Sequence, residues 1–408
     1  KMAMPRYLQI TIAVIISFII GFGAGYQVCF TLLSPQLPKP PILIGSAVPL
    51  TGELTREGWR TLKGYELWVK DVNERGGILG RPVKLIYYDD KSDPTTSATL
   101  TEKLITVDHV CAILGSFASY MILAATVPAE KYGVPYLICA GTSTKIYERG
   151  FKHIFAVLPS VKIYDCSVFW WIKDSKLDPP IKTVAFLIKS EPFSLSSYEY
   201  ASNESRRVGL ENVYHEEYPP GTKDFSPYII KMKALNPDLL IVMGHFEDLT
   251  TFRRQMVELG LKPKAFYATY VPQVPEWRDV LKELAEGVLG VAEWHSVLKY
   301  PGNEEFVRKW KEYTGTEPDP CAALAYAACQ VLEAAIKKAG SDDPKAIRNA
   351  LASFTKDNPV MTICGPTGFA ENGELVTRGC YLIQWIHGSC EVIYPLDAAT
   401  AKPLYPLP

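Results

Sequence analysis

The 408-residue chain carries no surplus of charge of either sign, with 43 Lys and Arg against 44 Asp and Glu. It has no basic stripe that could neutralise phosphates, so nothing in it recruits nucleic acid. No GxGxxG follows a strand-like run, and neither a P-loop nor a GxSxG elbow occurs, so no nucleotide cofactor and no acyl-transfer chemistry are expected. The six histidines are scattered, and none of the nine cysteines forms a CxxC pair that would announce zinc. An enzyme is therefore not expected. Charge is missing altogether from residues 7–38.

That uncharged stretch contains an apolar run, residues 8–33, longer than the ~20 helical residues that cross a hydrocarbon core. Lys1 and Arg6 precede it, which leaves the remainder of the chain outside the membrane. We expect residues 1–34 to form an uncleaved anchor helix, followed by a Pro-rich spacer at residues 35–41. The same helix could instead assemble chains into an extracellular filament or array. Nine cysteines are either buried thiols or, outside the cell, disulfides. The expected bridges are Cys111–Cys139, on consecutive strand-like runs, and Cys380–Cys390, on the two arms of a hairpin.

From Ile42 onward, short apolar runs alternate with amphipathic stretches. Strands are predicted at residues 42–48, 83–88, 110–114, 135–139, 183–188, 239–243 and 264–268. Helices are predicted at residues 59–73, 94–107, 119–132, 197–208, 225–235, 249–259, 304–313, 322–339 and 344–354. A hairpin over residues 379–394 should turn at His387-Gly388-Ser389. This order is α/β, with parallel sheets in two Rossmann-like lobes. Lobe 1 would take residues 42–159 and 291–378, and lobe 2 residues 160–290 and 379–396, with 397–408 as a tail. Three crossings, near Pro159, Gly290 and Gly379, would form a hinge.

Several strings make the pattern specific. Ile44-Gly45-Ser46-Ala47-Val48-Pro49-Leu50-Thr51-Gly52 is one, and the run from Asn73-Glu74-Arg75-Gly76-Gly77 to Pro82-Val83 is another. Tyr88-Asp89-Asp90-Lys91-Ser92-Asp93-Pro94, Gly115-Ser116-Phe117-Ala118-Ser119 and Gly133-Val134-Pro135 follow in order. Together they resemble the branched-chain amino-acid-binding family of ABC-transporter receptors, which have the type I periplasmic-binding-protein fold. The resemblance runs from Ile42 to Tyr394. It implies a receptor that closes on an amino acid, amide or aromatic acid and delivers it to an ABC-transporter permease.

The resemblance also implies the binding residues. Ser119, at a helix start, would meet the ligand's carboxylate, where unpaired N–H groups and the helix dipole favour an anion. Ala140 and Thr142 would contribute backbone and hydroxyl contacts. From the second lobe, Phe193 would cover the ligand. The family's amino-group carboxylate should follow the strand at residues 264–268, yet this chain has Thr269-Tyr270-Val271-Pro272 there. Tyr270 could supply a hydroxyl or a ring in its place. Glu57, Trp59 and Glu247 are further candidates.

Overall fold

The computed structural model describes residues 39–408. The expected anchor, or filament core, and Cys29 lie outside the described residues. Among the described residues, no helix is long and apolar enough to cross a membrane.

The first sheet grows from β1 (Ile42–Val48), nearly all of whose side chains are buried, as a strand covered on both faces requires. α1 (Thr55–Glu74) returns the chain to β2 (Val83–Asp89), and Gly76, at φ +90°, turns it there. α2 (Pro94–Thr106) starts where the Asp93 side chain accepts the Thr96 amide. β3 (Ala112–Leu114), α3 (Ser119–Tyr132), β4 (Tyr136–Ile138) and β5 (Ile154–Ala156) follow. The five strands are parallel, in the order β2-β1-β3-β4-β5.

The chain then passes through α4 (Ser167–Asp174) into the second sheet. Its parallel part is β6 (Thr183–Lys189), β7 (Glu211–Tyr218), β8 (Leu239–Met243), β9 (Ala265–Tyr267) and β10 (Leu289–Ala292). The helices α5 (Pro192–Arg207), α6 (Ser226–Leu235), α7 (Phe246–Glu258) and α8 (Glu276–Leu281) connect these strands. Gly290 lies inside β10, where a Cβ would come within 2.8 Å of the Thr269 carbonyl. The chain leaves this sheet only after Ala292, beyond the expected crossing at Gly290.

α9 (Asn303–Thr314), α10 (Pro320–Ala339) and α11 (Pro344–Ala352) form the helical block. Asp319 caps α10 by accepting the Ala322 amide at 3.0 Å. α10 lies tightly on α1: a Cβ at Gly64 would sit 2.6 Å from the Ala322 carbonyl. Trp68 donates to Glu333 at 3.0 Å and Tyr326 to Asp71 at 2.7 Å across that seam. The block thus packs on the first sheet's helices. A two-strand ribbon, β11 (Val360–Thr362) and β12 (Gly365–Thr367), leads to β13 (Tyr381–Ile386) and β14 (Ser389–Tyr394). This hairpin completes a seven-stranded sheet, β14-β13-β10-β9-β8-β6-β7. It turns on two residues, His387 and Gly388, both at positive φ, which matches the right-handed strand twist.

Both expected disulfides are corrected: all four cysteines are free thiols. Ile113 pairs with Tyr136, so Cys111 and Cys139 lie at opposite ends of neighbouring parallel strands. They are about five residues out of register, roughly 16 Å at strand rise, beyond the ~7 Å a bridge spans. Cys390 pairs with Trp385, five positions along the strand from Cys380, with the same result. Consecutive strands were read correctly as neighbours, but register is a property of the assembled sheet.

Candidate functional site

A cavity with about 520 Å³ of empty space, its open mouth included, lies between the two sheets. The first lobe brings the segment Phe117–Tyr120, the β4 exit Cys139–Thr142, and Pro320, Cys321 and Leu324 of α10. The second brings Glu191, Phe193, His245, Tyr270, Gln273 and Glu293, with Tyr164 and Leu158 from the connecting segment. Most of the second-lobe group sits just past the carboxyl ends of parallel strands, where open α/β sheets hold ligands.

Ser119 opens α3, but the cap position is Ala118, held at φ 72° and ψ 144°, a region L-residues rarely enter. The first-turn amides of α3 lack helical acceptors, and the segment Phe117–Tyr120 at that helix start lines the cavity. The Ser119 hydroxyl does not cap the helix. Its Oγ accepts the amides of Thr142 at 3.1 Å and Ser143 at 3.2 Å. Its own proton stays available to a carboxylate. The buried Thr142 Oγ1 has no hydrogen-bond partner in the protein. Buried hydroxyls are ordinarily paired, so this one is an exception among the residues that line the cavity.

The opposite wall is a polar chain. Glu191 Oε2 lies 3.0 Å from His245 Nε2, and His245 Nδ1 lies 2.6 Å from Tyr270 Oη. Burial opposes the charge on Glu191, but His245 and Lys189 outweigh it and hold the carboxyl below its usual range. Burial likewise works against protonation of His245, and the charge of Glu191 overcomes it, raising the imidazole. Lys189, itself buried, sits 3.0 Å from Asp248 and 3.1 Å from Glu53 of the first lobe. Further in, Tyr164 donates to Glu293 Oε1 at 2.6 Å. With its amide oriented to donate, Gln273 reaches Glu293 Oε2 at 2.9 Å. Burial pushes the Glu293 carboxyl up to about 7. The rings of Tyr164 and Phe193, Phe193 and Tyr270, and Phe117 and Tyr270 meet at centroid distances of 6.0, 5.9 and 6.3 Å. They make an aromatic lining with contributions from both lobes.

Five of the eight residues singled out from sequence, Ser119, Ala140, Thr142, Phe193 and Tyr270, line this one cavity. Trp59 and Glu247 do not. Trp59 is on the outer face of α1 at 40% exposure, with Lys63 near its ring. Glu247 is an exposed partner of Lys223 at 3.1 Å. Glu57 is buried but pairs with Arg56, whose guanidinium stacks 3.9 Å over Phe246 of the second lobe. Sequence reasoning missed Glu191, His245 and Glu293. Glu293 stands one residue beyond β10, a four-residue strand too short to be read from periodicity.

The sequence matches the periplasmic binding protein family over residues 41–389. The chain belongs to that family. Among its relatives, a Leu/Ile/Val-binding protein homolog 7 of Brucella abortus (strain 2308) is 25% identical over 374 residues, covering 88% of this chain and 93% of the relative. A leucine binding protein from Thermotoga maritima MSB8 superposes with a TM-score of 0.78 at 25% identity, covering 87% of this chain and 99% of that one. A solute binding protein of an ABC transporter from R. palustris, solved in complex with benzoate, gives 0.77 at 18% identity, covering 90% and 99%. This periplasmic binding protein therefore shares its two-lobed fold with proteins of quite different ligands, and its own cavity side chains must decide what it takes.

Proposed function

We propose that this binding protein captures a small carboxylate-bearing solute between its lobes, closes on it by hinge bending, and serves as the receptor of an ABC importer outside the cell membrane. The observation that carries the reading is the buried, unpaired Thr142 hydroxyl beside the start of α3, facing the Glu191–His245–Tyr270 chain across the cavity. The helix start supplies donors for the carboxylate, and the aromatic lining supplies an apolar wall for the remainder. The named ligands of its relatives, leucine and benzoate, share a carboxylate on an apolar body, which supports the same choice. Contacts from both lobes favour the closed population once a ligand is present.

The test is mass spectrometry of the small molecule retained by protein purified without unfolding, followed by thermal-shift titration with amino acids, amides and aromatic acids. A carboxylic acid that both co-purifies and raises the melting temperature is expected. Recovery of an acid-free ligand, or no shift with any acid, would sink the proposal.

A further inference from the structure

The second-lobe wall holds two buried carboxyl groups, and the structure treats them differently. Glu191 has cations beside it, His245 at 3.0 Å and Lys189 close by. Its charge is already matched. Glu293 is equally enclosed, yet its hydrogen-bond partners are neutral: Tyr164 at 2.6 Å and Gln273 at 2.9 Å. The nearby cation is Arg378, which directs Nη1 to the Glu293 carbonyl at 3.3 Å and Nη2 to the Val157 carbonyl, so its hydrogen bonds go to main-chain oxygens. The remaining titratable groups around Glu293 are Asp165, Cys321, Cys364 and Cys380, none of which supplies positive charge. Each carboxylate oxygen accepts more than one hydrogen bond, so both retain capacity toward the cavity.

We propose that Glu293 is the partner of a cationic group on the ligand, an ammonium in the first instance, and that binding such a ligand expels a proton from this carboxyl. The proposal rests on the carboxylate-solute reading and specifies its other end. A buried carboxyl with no ion-pair partner is about half protonated at pH 7, in keeping with its rise to about 7. A ligand ammonium at ion-pair distance favours the carboxylate, and the proton leaves to solvent. The ligand, protonated throughout, gives up nothing. In this chain the loop after β9 carries Thr269-Tyr270 and no acid, and the acid stands beyond the adjacent strand β10.

The experiment is calorimetry at pH 7 in two buffers of different ionisation enthalpy. The probes are L-leucine and L-phenylalanine with their desamino partners 4-methylpentanoate and 3-phenylpropanoate. At least one amino acid should bind more tightly than its desamino partner and release about half a proton per site, a release that fades by pH 8.5. Its affinity should fall as pH drops below 7, because the ligand competes with the proton. In Glu293→Gln the proton release should vanish and amino-acid affinity should fall by ~30-fold or more, with the desamino acid changed only a few-fold. The wild-type proton count decides the matter even if the variant does not fold. Amino acids that bind without proton release, or desamino acids that bind as tightly, would overturn the role of Glu293 and leave the carboxylate reading standing. Failure of all four acids to bind while another carboxylic acid does would overturn the role of Glu293 alone, and failure of every acid would remove both.

Discussion

The Ser119 hydroxyl accepts the Thr142 amide at 3.1 Å, joining the start of α3 to the loop that follows β4. The contact fixes two residues on the first-lobe side of the cavity relative to each other. Glycine at position 141 makes it achievable, because φ there is +105° and a Cβ would come 2.6 Å from the Ile122 side chain.

Ser119→Ala should weaken binding of a carboxylate ligand by about 1.5–3 kcal/mol, the range for a hydrogen bond to a charged group. Isothermal calorimetry against the identified acid gives the number. An unchanged dissociation constant would place Ser119 outside the binding contacts.

Thr142→Val should separate stability from function. The wild-type hydroxyl is buried without a protein partner, at a cost of about 1–3 kcal/mol that the isosteric methyl avoids. The ligand-free variant should therefore melt higher, while its affinity for the acid falls. A variant that melts lower and binds normally would contradict this reading of the hydroxyl.

The His245–Glu191 pair should leave a pH signature. His245 is raised from 6.5, so its contribution is complete below 6.5 and disappears as pH climbs through its folded value. Glu191 is lowered from 4.5, so its contribution is complete above 4.5 and disappears as pH falls through its folded value. The stability gap between wild type and His245→Gln should be widest between these limits and should narrow on both sides. Chemical denaturation from pH 4 to 9 measures it, and a gap independent of pH would exclude an ionised pair.

Closure should depend weakly on the Lys189–Glu53 contact, because Glu53 is half exposed while Lys189 keeps Asp248 in any case. Glu53→Gln is expected to cost no more than about 1 kcal/mol of ligand affinity, with the loss shrinking at high salt. Small-angle scattering of the same variant should still show a more compact protein when ligand is added. A radius of gyration that ligand leaves unchanged in the wild type, with the empty protein already compact, would argue against hinge bending.

The sequence by itself determined the fold class and most of its elements. Runs such as Ile42–Val48 and Leu239–Met243 are apolar throughout because both faces of a parallel sheet are covered, and that composition is visible without coordinates. Short or polar strands escaped: β5 has three residues, and the edge strand β7 reads ENVYHEEY, mixing charges that solvent tolerates on an outer strand. Five cavity residues were legible because the loops bearing them keep the family's order. Only the tertiary structure decided the rest. It separated Cys111 from Cys139 by register, moved Trp59 and Glu247 to the outside, and brought Glu191, His245, Tyr270 and Glu293, spread over about a hundred residues, onto one wall. The physical reason is that strand ends gather at one edge of a sheet irrespective of their distance along the chain. The charge state of a buried carboxyl then depends on neighbours that only folding supplies.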